Sequence, residues 1–336
     1  MYQAKITEKE AGQRFDKYLH RILPNAGSSF IYKMLRKKNI VLNDKKADGS
    51  EKIRAGDSVS IYFSDETLAK FTGKEASGTA DKGNMDFRAA FHAVSGVHIL
   101  YENAHVLLVD KPAGVLSQKA AQEDISLNEW LIGYLLESGS ITEQELTIYK
   151  PSVCNRLDRN TSGIVLCAKS LRGAQLFGEL LKNRTLHKYY QTYVKGQVKG
   201  EHLIEGYLHK DEKRNQVFVV PIANQAQQSC IRTAYKPIRQ ERDKTLLEVE
   251  LITGKPHQIR AHLASIGHPL LGDYKYGDKA WNEEYRKKYN VQWQLLHAFK
   301  VVFPQLEEPF GDLSDRTFCA GLPEIFNAVC EKQPFT

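Results

Sequence analysis

The sequence is poor in cysteine and contains no long apolar run. Its 336 residues include five cysteines, an odd number, and no two of them form a Cys-x-x-Cys pair. This pattern argues against a disulfide scaffold and against a zinc cluster, so reduced thiols are expected. No run of about 18 apolar residues could cross a bilayer, and the first residues lack the apolar core of a secretory signal. We therefore expect a globular, cytoplasmic protein that makes no membrane contact.

Several common catalytic motifs are also missing. The chain has no Gly-x-x-x-x-Gly-Lys-Ser/Thr phosphate loop, no Gly-x-Gly-x-x-Gly fingerprint and no Gly-x-Ser-x-Gly elbow. Nucleoside triphosphate, dinucleotide and acyl-enzyme chemistry thereby lose their main support. A metal site at His257 and His262 is disfavoured, because these residues are five apart. A helical zinc pair needs a spacing of four with a Glu between the two ligands.

The net charge of +7 is concentrated near the N-terminus. Residues 1–62 contain thirteen Lys and Arg against seven Asp and Glu, whereas the remaining 274 residues hold 34 against 33. This asymmetry indicates a polyanion-binding module attached to a nearly neutral body. The alternative is a basic solvated face without a partner, since clusters of Lys on helices are common.

Two short helices and a small hairpin are predicted within these 62 residues. Apolar residues recur at helical spacing in "QRFDKYLHRIL" and again in "SSFIYKMLRKKN", where Ser28 or Ser29 would cap the second helix. Short strands are predicted in "IVLND" and "AGDSVSIYF", around a turn at Gly49. This arrangement resembles the RNA-binding domain named after ribosomal protein S4. The resemblance implies RNA contacts by six basic residues: Lys33, Arg36, Lys37, Lys38, Lys45 and Lys46.

We expect the chain to divide into an RNA-binding domain over 1–63, a flexible linker over 64–90 and a catalytic body over 91–336. The linker prediction follows from "SDETLAKFTGKEASGTADKGNMD", which is rich in small and polar residues and has little periodicity. Strands are predicted downstream in "HVLLVDKPAGV", "HKYYQTYVKGQV", "NQVFVVPI", "IRTAYKPI" and "KTLLEVELITG".

Two helices are predicted among these strands. "SLNEWLIGYLLES" carries a capping box at Ser126 and Glu129. "PHQIRAHLASIG" has Pro256 at its expected first turn and Gly267 past its end. Strands scattered among helices without strict alternation favour an α+β body with a mixed, largely antiparallel sheet.

Asp158 is the main candidate for carboxylate chemistry. It lies between Arg156 and Arg159 in "CNRLDRNTSGIVLCAKS". Spacing alone leaves two interpretations open: a strand-edge catalytic carboxylate, or a surface Asp in an ion pair with one of its arginines, which would be worth little energetically. A glycosidase would need a second, paired carboxylate, and none accompanies Asp158 nearby in the sequence.

The same stretch resembles the His-Arg-Leu-Asp-Arg-x-Thr-Ser-Gly signature of RluA-type pseudouridine synthases. Further segments match the family in the right order: "YENAHVLLVDKPAGV", "HKYYQTYVKG", "LITGKPHQIRAHLASIGHPLLGDYKYG" and "LLHAF". The resemblance spans about residues 97–304 and implies the pseudouridine synthase fold. It also implies isomerisation of uridine to pseudouridine in structured RNA. The expected substrate is 23S large-subunit ribosomal RNA, with transfer RNA as an alternative.

The resemblance implies three catalytic positions. Asp158 matches the family's catalytic Asp, which attacks the ribose C1′ or deprotonates its neighbour while the uracil is detached, turned and rejoined through C5. Arg260 matches the arginine that pairs with this Asp and favours its ionised form. Tyr190 matches an active-site Tyr that packs on the flipped base and takes part in late proton removal from C5; Tyr189 is the alternative if the register slips.

Two arginines beside Asp158 are implied to contact RNA. Arg156 matches the residue that fills the gap left by the flipped base or holds the displaced strand. Arg159 could form a structural ion pair or a phosphate contact. Neither a metal nor another cofactor is expected, because the isomerisation is redox-neutral and breaks no phosphate bond. We expect a monomer, since flipping one base requires only one site.

Three residues depart from the family pattern. Asn155 stands where the family usually has His, Asn160 stands where it usually has an acidic residue, and Pro256 replaces a residue that is commonly Thr. None of these changes removes an atom that the chemistry needs.

The alternative to an enzyme is a non-catalytic RNA-binding or ribosome assembly factor. The presence of all three implied catalytic residues argues against it.

Overall fold

The computed structural model describes residues 2–8, 10–72, 86–121, 123–211, 216–220 and 229–330. Within these ranges the chain forms two sheets, a small one near the N-terminus and a large one in the rest of the chain. Among the helices that the structure describes, none combines the length and apolar character that a bilayer crossing requires.

The N-terminal region packs three helices against a four-stranded antiparallel sheet of order β1-β4-β2-β3. Its strands are β1 (Tyr2–Lys5), β2 (Ile40–Leu42), β3 (Lys45–Lys46) and β4 (Ser58–Ile61). Its helices are α1 (Phe15–Ile22), α2 (Ser28–Arg36) and α3 (Asp65–Thr72). The apolar positions of the two predicted helices face one core, in which Phe15, Leu19, Ile31 and Leu35 are fully buried. Both helix predictions are confirmed, whereas β1 was not predicted.

Two details of this region differ from the sequence prediction. Gly27, not Ser28 or Ser29, is the N-cap of α2, and no side chain caps the helix. The prediction of a flexible linker does not hold for residues 65–72, because they form α3. The centre of its Phe71 ring lies 4.3 Å from that of the Phe30 ring. Leu68 also packs against the core, so burial of apolar side chains orders a segment of mostly polar composition. The centre of the predicted linker, residues 73–85, lies outside the described residues.

The larger region is built from an eleven-stranded sheet, as far as the described residues show, with the main order β11-β10-β12-β13-β9-β14-β8-β6-β5. Its strands are β5 (His98–Glu102), β6 (Val106–Lys111), β7 (Ser152–Val153), β8 (Ser162–Ala168), β9 (His187–Lys195), β10 (His202–Asp211), β11 (Gln216–Val220), β12 (Ser229–Gln240), β13 (Lys244–Leu251), β14 (Leu296–Val302) and β15 (Thr317–Cys319). Its helices are α4 (Phe87–Ala93), α5 (Leu127–Glu137), α6 (Glu143–Ile148), α7 (Leu171–Asn183), α8 (Gln258–Ser265), α9 (Lys279–Tyr289) and α10 (Glu324–Ala328), with a 3₁₀ turn at Gly311–Leu313.

The sheet is mixed and largely antiparallel, as predicted. β14 runs parallel to β8 and antiparallel to β9, while β6 and β7 pair antiparallel with β8. Every residue of β8 is buried, because the strand is covered on both faces. Val165 and Cys167 join the core beneath α5, whereas Ile164 and Leu166 join the core beneath α7. The strand that follows Asp158 is therefore a rigid support.

The helix caps test the sequence prediction directly. Ser126 and Glu129 form the predicted capping box at the start of α5. The prediction that Pro256 occupies the first turn of the later helix is wrong, because α8 begins at Gln258 and its N-cap is His257. His257 has a left-handed backbone, with φ 54° and ψ 16°, which separates the proline from the helix. Gly267 lies past the helix end with φ 84°, as expected.

Candidate active site

Asp158 lies in the turn between β7 and β8, and neighbouring groups fix that turn. The Thr161 N–H donates to the Asp158 carbonyl oxygen at 3.0 Å. On the other side, the Ser117 hydroxyl accepts from the Leu157 N–H at 3.0 Å and donates to the Leu157 carbonyl at 2.9 Å. The backbone on both sides of Asp158 is therefore held by hydrogen bonds, which orients its carboxylate.

Gly163 anchors the far end of this turn. Its φ is 111°, and a Cβ at this position would lie 2.3 Å from the Ala298 carbonyl oxygen on β14. Only glycine fits such a close approach of two strands. The adjacent Ser162 hydroxyl lies 2.8 Å from Nδ1 of the buried His297, also on β14. The Thr-Ser-Gly part of the motif thus joins the Asp158 turn to the neighbouring parallel strand.

Lys111 fastens the Lys-Pro-Ala-Gly turn beside Asp158. Its side chain is fully buried. Its Nζ donates to the carbonyl oxygens of Pro112 at 2.9 Å, Val115 at 2.8 Å and Arg159 at 3.1 Å. Burial lowers the pKa of Lys111 to about 7, against the opposing charges of Asp158 and Asp110. Three carbonyl acceptors match the three N–H bonds of an ammonium group. No function was predicted for Lys111 from the sequence, although its position at the end of an apolar strand was a signal.

Arg260 on α8 is the ion-pair partner of Asp158. Its Nη1 donates to Asp158 Oδ2 at 2.8 Å. Its Nε and Nη2 donate to the two carboxylate oxygens of Asp273 at 2.7 and 3.0 Å. The Asp158 side chain is 27% exposed, whereas that of Asp273 is 0% exposed. One guanidinium therefore bridges a buried carboxylate and a partly exposed one, and the partner of Asp158 is neither of its neighbouring arginines.

The ionisation of this bridge follows from its contacts. Burial disfavours the charged guanidinium, but the hydrogen bonds and charges of Asp273 and Asp158 outweigh it and raise the pKa of Arg260. Burial also disfavours the charged form of Asp273, but its bonds from Arg260 lower the pKa of this carboxyl below the ordinary value. Asp273 was not predicted as a site residue. Its only signal was an acidic residue one glycine beyond the apolar stretch "HPLL".

Tyr190 on β9 lines the same cavity as Asp158. Burial, together with the charge of Asp158, raises the pKa of the Tyr190 phenol far above its ordinary value. The group is therefore a neutral phenol at physiological pH. Tyr189, the alternative residue, is not among the cavity-lining residues, and its ring lies 4.1 Å from Lys300 Nζ. The strand register favours Tyr190 over Tyr189.

Asn155, one of the departures from the family pattern, bonds to the backbone of β8. Its Oδ1 accepts from the Leu166 N–H at 2.7 Å, and its Nδ2 lies 3.4 Å from the Ile164 carbonyl oxygen. An amide supplies one donor and one acceptor here, as a neutral imidazole also can. Asn155 thus supports the strand that follows the turn.

The Asp158 carboxylate and Arg260 border a cavity of about 910 Å³. Eight of the described lining residues are Lys or Arg, and Asp158 is the one acidic residue among them. The volume is in the range of ligand-binding cavities, roughly 300–1,000 Å³. A concave surface with this excess of positive charge attracts polyanions. The cavity can therefore receive a nucleotide of a nucleic acid and present it to a carboxylate.

Arg156 and Arg159 are both exposed and both line this cavity. The Arg159 Nε donates to the Gly114 carbonyl oxygen at 3.0 Å, and the Gly114 N–H donates back to the Arg159 carbonyl at 2.9 Å. Arg159 therefore holds the Lys-Pro-Ala-Gly turn through its backbone and its side chain.

The six basic residues predicted near the N-terminus lie on a different surface. All six side chains are exposed, and none lines the cavity around Asp158. Arg36 on α2 and Lys46 on β3 line a second, shallow depression together with Tyr32. One basic residue of the helix and one of the hairpin thus border the same depression.

The two histidines considered as metal ligands have different surroundings. His262 is buried, with Nδ1 2.9 Å from the Thr233 hydroxyl, whereas His257 lines the cavity. Within the described ranges, no group of three or more His, Cys, Asp or Glu side chains could hold a metal ion.

Sequence comparisons find a consistent set of relatives. The family model described as RNA pseudouridylate synthase matches residues 105–265, a range that includes Asp158, Tyr190 and Arg260. The chain is 30% identical over 312 residues to ribosomal large subunit pseudouridine synthase C of Vibrio vulnificus, covering 90% of this chain and 89% of the relative. It is 28% identical over 313 residues to an uncharacterised RNA pseudouridine synthase of Mycoplasma genitalium, covering 90% and 89%.

Structural comparisons agree on the fold. Human RNA Pseudouridylate Synthase Domain Containing 4 superposes with a TM-score of 0.56 at 19% identity, covering 72% of this chain and 94% of that protein. Human RNA Pseudouridylate Synthase Domain Containing 1 superposes with a TM-score of 0.50 at 20% identity, covering 69% and 94%. These likenesses show the pseudouridine synthase fold.

Proposed function

The chain belongs to the RNA pseudouridylate synthase family, and we propose that it isomerises specific uridines of 23S large-subunit ribosomal RNA in the cavity around Asp158. Membership in the family means that the protein is an enzyme that converts uridine in RNA to pseudouridine. The choice of ribosomal RNA is supported by relatives named ribosomal large subunit pseudouridine synthase C in several bacteria.

The contact that carries the proposal is the 2.8 Å ion pair between Asp158 and Arg260. In the isomerisation the C1′–N1 bond breaks, the uracil turns, and a C1′–C5 bond forms; C5 loses its proton and N1 gains one. The Asp158 carboxylate attacks C1′ or removes a proton from C2′, and either role requires its ionised form. Arg260 favours that form, and Asp273 holds Arg260 in place from the other side.

Base flipping assigns further roles. A uridine in a folded RNA must leave its stack before its glycosidic bond can be reached. The Tyr190 ring then packs on the flipped uracil. Its phenol is neutral, and aromatic rings stack favourably on one another. The exposed, planar guanidinium of Arg156 fills the gap in the RNA or contacts the displaced strand. Arg159 contacts phosphate with the part of its guanidinium beyond Nε.

The N-terminal region acts as an S4-like RNA-binding domain in this proposal. Support comes from its two helices and hairpin, and from the exposure of all six basic side chains. Because α3 packs on this region, its boundary with the catalytic body lies after Thr72. The enzyme acts as a monomer, since one cavity holds the implied catalytic residues Asp158, Tyr190 and Arg260. The cytoplasm is its proposed location, in keeping with relatives named for the large ribosomal subunit.

An assay of Asp158→Asn tests the catalytic assignment. RNA transcribed with uridine tritiated at C5 releases tritium to water when pseudouridine forms. We expect no measurable release with Asp158→Asn and nearly unchanged RNA binding, because the substitution keeps the size of the side chain and removes its charge. The matched control is Asp315→Asn, an exposed Asp with φ 55°, a left-handed conformation that Asn tolerates. Tritium release at the wild-type rate by Asp158→Asn would remove this carboxylate from the mechanism.

A further inference from the structure

His257 occupies an unusual position beside the ion pair. It is the N-cap of α8, lines the cavity, and adopts the left-handed backbone that non-glycine residues rarely use. Its Nε2 lies 3.9 Å from Asp158 Oδ2. A strained backbone that directs a side chain toward a reacting group is a common feature of functional sites. No role has yet been given to this imidazole.

Tyr276 is the hydrogen-bond partner of His257 Nδ1. The Tyr276 hydroxyl oxygen accepts from the Val217 backbone N–H at 3.1 Å. Its O–H can donate to His257 Nδ1, which lies 2.8 Å away. A neutral imidazole that accepts at Nδ1 carries its own proton at Nε2. In this tautomer the N–H of His257 faces Asp158.

Burial, more than the surrounding charges, favours the neutral form of His257. Burial is the largest influence and lowers the pKa of His257; the positive charges of Arg260 and Lys275 act in the same direction. The negative charges of Asp158 and Asp273 oppose them without reversing the shift. The 3.9 Å separation is too long for a direct hydrogen bond to Asp158. A substrate atom that lies in the cavity beside this pair, at hydrogen-bond distance from Nε2, can accept this N–H.

We propose that His257 is a substrate-binding residue that donates a hydrogen bond from Nε2–H to the O2 carbonyl of the target uracil. The inference rests on the proposed function. When the C1′–N1 bond breaks, the uracil takes up negative charge that is shared by N1, O2 and O4. O2 lies next to N1 and therefore close to C1′, where the Asp158 carboxylate acts. A fixed donor aimed at developing charge stabilises the transition state more than the ground state.

Two substitutions of His257 test the donor. His257→Ala is expected to lower kcat about 100-fold with a smaller change in KM, the effect of losing one such donor. His257→Gln keeps an N–H near the position of Nε2 and should recover part of this loss. The matched control is His268→Gln, because His268 lies in the same sequence block, does not line the cavity, and bonds through Nδ1 to the Lys195 carbonyl. A wild-type kcat for His257→Ala would overturn the proposal.

The pH dependence of kcat gives a readout that a structural role would not move. Protonation of His257 removes its neutral form and draws the imidazolium toward the Asp158 carboxylate, so kcat should fall as pH falls through the pKa of His257. Tyr276→Phe removes the proton donated to Nδ1, which stabilises the neutral imidazole. The acidic limb of the profile should therefore move to higher pH.

The double variant Tyr276→Phe/His257→Gln separates this effect from a general disturbance of the site. Its acidic limb should match that of His257→Gln alone. If Tyr276→Phe moved the acidic limb equally in the wild type and in His257→Gln, the role of His257 would be overturned. Failure of the wild-type protein to release tritium from RNA would instead overturn the proposed function, so the two failures are distinguishable.

Discussion

The bridge between Asp158, Arg260 and Asp273 predicts a specific loss in Asp273→Asn. Asp273 is fully buried and accepts from Arg260 Nε at 2.7 Å and Nη2 at 3.0 Å. Its Oδ1 also accepts from the backbone N–H groups of Lys275 at 2.9 Å and Tyr276 at 3.1 Å. The side chain of Asn keeps one acceptor oxygen. Its NH₂ group replaces the other oxygen and faces an N–H of Arg260, so two donors oppose each other. Breaking a buried charge pair on one side costs about 3–5 kcal/mol. We expect the free energy of unfolding to fall by about 3 kcal/mol at pH 7, at the lower end because one oxygen remains.

The pH dependence of this loss tests its electrostatic origin. The folded-state pKa of Asp273 lies below its ordinary value of 3.8, so its contribution is present above that pH and is lost as pH falls through the folded pKa. The difference between wild type and Asp273→Asn, measured by urea unfolding, should therefore shrink below about pH 4. Turnover should fall as well, because Arg260 loses its anchor. A difference under about 1 kcal/mol at pH 7, or one that does not change with pH, would refute this reasoning.

Three other substitutions test separate parts of the account. Gly163→Ala should lower the free energy of unfolding by about 3 kcal/mol or more, since φ is 111° and the new Cβ meets the Ala298 carbonyl at 2.3 Å; wild-type urea stability would contradict this. Ser126→Ala should lower the free energy of unfolding, measured with urea, by about 1 kcal/mol because the α5 capping box is lost, and it should leave turnover unchanged. Replacing Lys33, Arg36, Lys37 and Lys38 with Gln should weaken RNA binding and reduce its salt dependence, while saturating turnover stays near wild type; an unchanged salt slope would contradict RNA binding by this surface.

Local signals in the sequence were sufficient for several elements. Apolar periodicity placed α1 and α2, and the Ser126 capping box placed the start of α5, because these features depend on residues close together in the chain. The α3 helix was missed, since its residues are mostly polar and its apolar Leu68 and Phe71 become partly buried only in the tertiary structure. The start of α8 was misplaced because the left-handed backbone of His257 leaves no signature in the residue types around it.

The site shows the same division between local and distant contacts. Asp158 and its motif could be found from one stretch, but its pairing with Arg260, 102 residues away, was implied only by the family resemblance. Asp273 and Lys111 act through contacts that form only in the folded chain, to a guanidinium and to three carbonyl oxygens. Sequence spacing does not carry such information.

The most direct test of the central claim is a pseudouridine map of ribosomal and transfer RNA. It should compare cells that lack this protein with the same cells carrying the wild type, Asp158→Asn or the control Asp315→Asn. We predict that one or more sites in large-subunit ribosomal RNA disappear without the protein, return with the wild type and with Asp315→Asn, and stay absent with Asp158→Asn. Return of these sites with Asp158→Asn would contradict the catalytic role of the carboxylate, and loss of sites in transfer RNA alone would contradict the proposed substrate.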